Sequence, residues 1–148
     1  MCKSDSKCEH AMHISGKASH FIFNNGLVKN FNAPIKVNKK EGIVPDHGVI
    51  LRSAFYNDNV RNTASPVTLI DIVAASHWRI SQSYIADFAK GKGDLTSYGM
   101  FYKGAGNDNI FERNIVNCEW RHQGGNRVGA SLGGGGTGQA FCRDGRCA

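Results

Sequence analysis

Two residues of this chain have side chains that could act together as a nucleophile and its base. His47 opens the apolar run 48–51, and Cys118 is the one interior cysteine, with Asn117 before it and Glu119 after it. An imidazole within hydrogen-bond reach of a thiol can remove its proton, and the resulting thiolate attacks ester and amide carbonyls. The pair predicts a thiol-dependent hydrolase or acyltransferase.

Short strands would hold the histidine. Residues 20–23 and 27–31 are typical of two short strands, and they flank Asn24-Asn25-Gly26, which has the turn chemistry of a tight β-hairpin. After Pro45, residues 48–51 and 54–56 predict a third strand with His47 at its entry. Together these segments predict a small antiparallel sheet.

A long helix is the expected second element. Ser65 is a good N-cap, Pro66 suits the first helical position, and Gly91 is a natural stop. Ile70 and Ile85 belong to a set of residues spaced three and four apart, as on one face of a helix. The sequence thus predicts an α+β fold with one long helix over about residues 66–90.

The length and composition fit a single domain. The chain has 148 residues, of which 41% are hydrophobic, and this is enough to close one core. We predict an N-terminal segment containing cysteine and histidine at 1–19 and a globular domain at 20–128. A glycine-rich tail with a terminal cysteine pair is expected at 129–148, because glycine leaves the backbone free.

The charge and hydropathy limit the compartment and partners. A net charge of +6 would attract phosphates or anionic lipid head groups, although a surplus of this size also serves solubility. No apolar run approaches the roughly 20 residues that a membrane span requires, and the N-terminus lacks a hydrophobic leader. We expect a soluble protein without a transmembrane segment, cytoplasmic if Met1 is the native start.

The cysteine content does not decide between disulfide bonds and free thiols. Five cysteines cannot all pair within the chain, so at least one thiol is free or bonded elsewhere, and Cys118 is the natural choice. The other four, at the two ends, would be staples in an oxidising compartment or plain thiols in a cytosol. Ligand types that zinc prefers also occur near the N-terminus, at Cys2, Cys8, His10 and His13. The spacing of these cysteines is looser than in zinc sites, and no metal or other cofactor is predicted.

The region from residue 47 to about 128 resembles the H-box/NC group. This group includes lecithin:retinol acyltransferase-like proteins and, more distantly, NlpC-type and permuted papain-like peptidases. In it a strand-borne histidine precedes an Asn-Cys-Glu motif at a helix start, as His47 precedes Asn117-Cys118-Glu119. The resemblance implies that Cys118 is the nucleophile, His47 the base and Asn59 the residue that orients the imidazole. It implies an ester or amide substrate, and an anionic lipid would suit the cationic chain.

Two other classes of function remain open. In the first, the chain is a non-catalytic structural or interaction protein, such as a viral or assembly component, whose Trp-Arg pairs at 78–79 and 120–121 anchor an interface. In the second, residues 80–91 resemble the recognition half of a helix-turn-helix domain. Gln82 and Ser83 would then face nucleic-acid bases.

Overall fold

The described part of the protein consists of β-strands joined by corners and loops. The computed structural model describes residues 4, 5, 7–133 and 142–146. These residues form thirteen strands and no helix. In chain order the strands are β1 (Met12–Ser15), β2 (Ile22–Asn24), β3 (Leu27–Lys29), β4 (Ile35–Asn38), β5 (Val49–Leu51), β6 (Ala54–Tyr56), β7 (Val67–Val73), β8 (Arg79–Ser81), β9 (Tyr84–Ala86), β10 (Thr96–Lys103), β11 (Ile110–Glu112), β12 (Ile115–Asn117) and β13 (Asn126–Leu132).

Pairing between these strands is parallel throughout and builds three sheets. The first sheet has the order β1-β4-β7-β10-β13, the second β2-β5-β8-β11 and the third β3-β6-β9-β12. The chain visits the three sheets in turn and then begins the next circuit, which we call a rung. This arrangement is a β-solenoid, so the predicted α+β fold with an antiparallel sheet is wrong.

A sequence repeat with the length of one rung underlies the sheets. Val49 pairs with Arg79, and Arg79 pairs in turn with Ile110, so equivalent residues recur at a nearly constant spacing along the chain. Segments 21–30, 48–57, 78–87 and 109–118 can be aligned on these pairs, and each has an apolar residue at its third and eighth positions. Such self-similarity is the sequence signature of a solenoid, in which each unit buries its apolar face against its neighbours.

The repeated apolar positions fill the interior in two columns. Paired residues of the second sheet form one column, and those of the third sheet form the other. In the two central rungs these residues are fully buried. The columns are Phe23, Ile50, Ile80 and Phe111, and Val28, Phe55, Ile85 and Val116.

The corner between the second and third sheets replaces the predicted hairpin. Asn25 has a φ of 55°, and Arg52 and Gln82 in the next two rungs have φ values of 47° and 53°. Left-handed backbone at this position turns the chain into the next sheet, so β2 and β3 never pair with each other. The corner amides bond to the following rung: Asn25 N–H donates to the Leu51 carbonyl at 3.0 Å.

The long helix predicted over about 66–90 is also wrong. Its residues form β7, β8 and β9, and all seven residues of β7 are buried. Residues 67–73 contain several β-branched side chains, which favour a strand buried on both faces. The apolar spacings of three and four arise because corners interrupt the alternation of the strands.

The predicted boundaries at residues 19 and 128 both fall within or beside the solenoid. β1 lies inside the predicted N-terminal segment and pairs with β4. β13 crosses residue 128 and pairs with β10 through Leu132. Of the predicted glycine-rich tail, residues 134–141 and the last two residues lie outside the described part.

Nothing in the described ranges forms a helix long and apolar enough to cross a bilayer.

Candidate functional site

Cys118 directly follows β12, at the end of the third sheet. It is a free thiol whose partly buried side chain packs against the hydrophobic core. Arg127 Nη1 donates a hydrogen bond of 2.9 Å to the Cys118 carbonyl and one of 3.0 Å to the His122 carbonyl. The loop after β12 is therefore held by an arginine, with the sulfur half covered.

His47 lies at the corner that enters β5, in a column of three stacked imidazoles. Its ring centroid is 5.0 Å from that of His20 and 4.7 Å from that of His77, and the rings are within 7° of parallel. These histidines occupy one position in successive rungs, and all have φ close to 60°. In the fourth rung Asp108 takes the place, with Oδ2 at 3.9 Å from His77 Nδ1. The column is exposed on the outside of the solenoid.

The carboxylate next to His47 is engaged by the C-terminal segment. Arg143 donates to both carboxylate oxygens of Asp46 at 2.6 Å, and its Nη1 also donates to the Ala74 carbonyl at 3.2 Å. Burial raises the pKa of Asp46, but the hydrogen bonds from Arg143 and the Ser76 amide outweigh it and leave that pKa below its ordinary value. Asp46 thus holds the Arg143 side chain in place.

The three residues proposed for thiol catalysis lie apart. His47 precedes β5 in the second rung, whereas Cys118 follows β12 in the fourth, so two rungs and the length of two strands separate them. Because neighbouring strands are about 4.8 Å apart, the rung difference alone is about 10 Å, beyond hydrogen-bond reach. Asn59 is exposed in the loop after β6. Thiol chemistry by this trio stays a prediction that this arrangement does not support.

We expect the alkylation rate of Cys118 to be the same in wild type and in His47→Ala between about pH 5 and pH 9, because the imidazole is too far away to take the thiol proton. Mass spectrometry of the Cys118 peptide after timed exposure to iodoacetamide measures this rate, and His77→Ala is the matched control. Fast modification below neutral pH that disappears only in His47→Ala would contradict the expectation and favour the hydrolase.

The motif that carried the resemblance to the H-box/NC group lies on a strand and a turn. Residues 115–117 form β12, and Asn117 Oδ1 accepts a hydrogen bond of 3.2 Å from the Glu119 amide in the turn that follows. The resemblance places the cysteine at the start of a helix, but residues 118–122 form no helix. The fold that the resemblance implied is therefore not found.

The potential zinc ligands at the N-terminus have other partners. Cys8 is in a disulfide bond. His10 Nδ1 is 3.0 Å from the Ala33 carbonyl, and His13 Nε2 is 2.5 Å from Asn38 Oδ1. Cys2 lies outside the described residues, and within them no group of three or more His, Cys, Asp or Glu side chains could hold a metal ion.

The segment that resembled a recognition helix runs through two strands. Residues 80–91 contain the end of β8, a corner at Gln82 and the whole of β9. Ser83, expected to face nucleic-acid bases, is only 3% exposed, and its Oγ accepts a hydrogen bond from the Ser53 amide at 3.1 Å. Residues 80–91 therefore contain no helix that could bind nucleic acid in the manner of a helix-turn-helix domain.

The two tryptophans proposed as interface anchors differ in exposure. Trp78 is fully buried, and its Nε1 donates to the Pro45 carbonyl at 2.8 Å. Trp120 is 57% exposed and stacks on the Arg121 guanidinium at 4.4 Å. Of the two, only Trp120 is available to a partner.

A groove of about 530 Å³ lies on the outer face of the first sheet. Lys36, Asp71 and Phe101 are register partners on neighbouring strands β4, β7 and β10, and they line it together with Tyr98 and Lys103. Glu9, Lys90 and Asp94, from the segments that enter the first sheet, line its edge where the strands begin. We call this feature the sheet-face groove.

A carboxylate shared by two lysines forms the centre of the groove. Asp71 Oδ2 is 2.5 Å from Lys36 Nζ, and Asp71 Oδ1 is 3.3 Å from Lys103 Nζ. Asp71 and Lys103 are each 6% exposed. Burial, opposed by Asp71 and reinforced by the charge of Lys36, lowers the pKa of Lys103 below its ordinary value. The three side chains form one ion-pair cluster, which we call the triad, and Lys36 is its most exposed member.

Aromatic rings lie directly beside this triad. The ring centroids of Tyr98 and Phe101 are 4.5 Å apart, and Lys103 Nζ lies 4.9 Å from the Phe101 centroid. Phe101 is buried, whereas Tyr98 is only half-buried. Tyr98 therefore contributes accessible aromatic surface to the lining of the groove.

A second ion pair lies at the edge where the strands begin. Lys90, which is buried, contacts the exposed Asp94 at 2.6 Å. Hydrogen bonds from Lys90 and from the Thr96 amide hold the pKa of Asp94 below its ordinary value. Lys90 is thus paired with a carboxylate of its own.

None of the three triad residues was predicted from the sequence to be a functional residue. Lys36, Asp71 and Phe101 lie far apart in the chain, and only the pairing of rungs brings them together. The signal that could have found them is the rung repeat, because charged residues inside otherwise apolar strands then fall into one outward column.

Comparisons with protein-family models, curated proteins and solved structures found no match to this chain.

Proposed function

We propose that this chain is a binding protein, of the non-catalytic interaction class, and that it holds an acidic saccharide in the sheet-face groove. The observation that carries the proposal is the position of Lys36, which contacts Asp71 at the centre of the groove while its own side chain stays 22% exposed.

The side chain of Lys36 is 22% exposed, so a ligand in the groove can reach its ammonium while Asp71 remains in contact with it. A carboxylate on such a ligand would form a charge-assisted hydrogen bond with Lys36. The net charge of +6 would draw such a ligand towards the protein from a distance.

The aromatic side of the groove favours a sugar ring as the carrier of that carboxylate. Tyr98 presents one apolar face and one hydroxyl, which match a molecule with C–H faces and polar edges. The volume of about 530 Å³ lies in the range typical of small-molecule sites. A uronic acid unit combines a ring of this kind with a carboxylate.

Isothermal titration with trigalacturonic acid tests the proposal. We expect the wild-type protein to bind this trisaccharide and to bind its methyl ester at least about tenfold more weakly, because each charge-assisted hydrogen bond contributes about 1.5–3 kcal/mol. Lys36→Ala should weaken binding of the acid by about the same factor. Lys17→Ala, which removes an exposed lysine elsewhere, is the matched control.

Equal affinity for the acid and its methyl ester would overturn the role of the triad. The absence of any binding of the acid to the folded wild-type protein would overturn the proposed function itself. Circular dichroism melting of each variant establishes that a loss of affinity is not a loss of fold.

A further inference from the structure

Next to the edge of the sheet-face groove lies a buried arginine whose guanidinium is only partly satisfied. Arg61 is 4% exposed. Its Nε donates to Asn32 Oδ1 at 3.0 Å, and its Nη1 lies 2.9 Å from Asp5 Oδ1. Its Nη2 is buried and has no hydrogen-bond partner among the described residues. Burial lowers the pKa of Arg61 even though Asp5 and Glu9 oppose the shift.

The Asp5 carboxylate is held in the way a protein holds a carboxylate ligand. One oxygen faces the Arg61 guanidinium, and the other accepts a hydrogen bond of 2.7 Å from the Asn62 amide. The Asp5 carbonyl accepts a further bond of 2.9 Å from Asn32 Nδ2. A guanidinium beside a backbone N–H is a natural anion site.

This anion site adjoins the groove through the rungs. Arg61 forms a parallel bridge with Lys90, and the Gly91 amide donates to the Arg61 carbonyl at 2.9 Å. Lys90 lines the groove, as does Glu9, which accepts a hydrogen bond of 2.9 Å from Asn32 Nδ2. Two cationic side chains of neighbouring rungs thus lie side by side where the groove ends.

We infer that Arg61 forms a second anion subsite of the sheet-face groove, and that Asp5 occupies it from within the chain. The inference rests on the proposed function, since it extends the same site to a ligand with more than one carboxylate. One acidic unit would lie at the Lys36–Asp71–Lys103 triad, and the next would reach Arg61.

Asp5 is suited to be displaced. Its side chain is 32% exposed, and it belongs to the segment that precedes the first strand. An incoming carboxylate could bond to both Nη1 and Nη2 of Arg61, which would satisfy the nitrogen that Asp5 leaves without a partner. The Arg61 site is free only in those molecules in which Asp5 has moved away. The apparent affinity of a ligand is therefore its affinity for the free site multiplied by the fraction of such molecules.

Titration of full-length Asp5→Asn with trigalacturonic acid and with monomeric galacturonic acid tests the inference. We expect the trisaccharide to bind about tenfold more tightly than to wild type, because the competing charge is gone, and the monomer to bind equally well to both proteins. Asp108→Asn is the matched control, since it removes one negative charge from an exposed side chain elsewhere. In Asp5→Asn/Arg61→Lys the gain should disappear, because lysine cannot form the bidentate pair.

The outcomes separate the two proposals. If wild type binds the trisaccharide but Asp5→Asn changes its affinity no more than Asp108→Asn does, the second subsite is wrong and the groove remains. A gain that survives Arg61→Lys in a variant that melts like wild type would also overturn the subsite. If neither wild type nor Asp5→Asn binds the trisaccharide, the groove proposal fails and this inference fails with it.

Discussion

Ile85→Ala should lower the free energy of unfolding by about 2–5 kcal/mol, whereas Ile115→Ala should lower it by less than about 1 kcal/mol. The two isoleucines lie on neighbouring strands of the third sheet, β9 and β12, but at positions of opposite orientation. Ile85 is fully buried in the interior column, and Ile115 is 65% exposed on the outer face. The same atoms are deleted in both variants, so the difference between them measures burial alone.

Urea denaturation followed by circular dichroism gives both values. The transition slope should be unchanged, since neither variant alters the surface exposed on unfolding by much. Equal losses in the two variants would mean that the assigned interior of the solenoid is wrong, and with it the register of the third sheet.

Asp71→Asn should lower the free energy of unfolding by about 3–5 kcal/mol, because it leaves Lys36 and Lys103 without the carboxylate that they share. The substitution keeps the size and shape of the side chain, so the loss reports charge pairing and not packing. Asp58→Asn is the matched control. Its carboxylate is also shared by two cations, Lys29 at 3.0 Å and Arg121 at 2.9 Å, but these three side chains are 32–36% exposed, so the loss should be much smaller.

Thermal and urea unfolding of the two asparagine variants compares their losses of unfolding free energy. The comparison shows whether the buried charges of the triad depend on the Asp71 carboxylate. A loss in Asp71→Asn no larger than in Asp58→Asn would show that water already screens the charges of the triad. A ligand carboxylate would then gain no more from the groove than from an exposed ion pair.

Local chemistry made several strands predictable but not their partners. The apolar segments around residues 20–31 and 48–56 do form β2, β3, β5 and β6. Their pairing was not predictable from neighbouring residues, because Asn25 in the left-handed region suits both a tight hairpin and a solenoid corner. The choice is made by residues one rung away, which supply the next strand of each sheet.

The long helix failed for a related reason. Pro66 suits the start of a helix, but it equally suits the loop before a strand, and the following run from Val67 to Val73 is rich in β-branched residues. The apolar spacing was judged over the whole span 66–90, which contains three strands and two corners. Taken together, their apolar residues resemble one face of a helix. A search for repeats at the spacing of segments 48–57 and 78–87 would have separated these elements.

The candidate site lay beyond sequence reasoning because it is made by stacking. His47 and Cys118 were selected by residue type, and the rungs separate them. Lys36, Asp71 and Lys103 are ordinary charged residues in three different strands, and they gain their chemistry only from register and burial. A role for Asp5 can be inferred only once its contact with Arg61 is known.

The bond between Arg143 and Asp46 changes how the molecule would respond to tension. In a solenoid each rung contacts only its neighbours, so a pull on one end would ordinarily peel the outermost rung first. Arg143 joins the C-terminal segment directly to the second rung, across 97 residues of chain. A force applied beyond residue 146 would therefore act on the second rung through Arg143. Several rungs would have to separate together, so the last rungs would resist unfolding more than their own contacts allow.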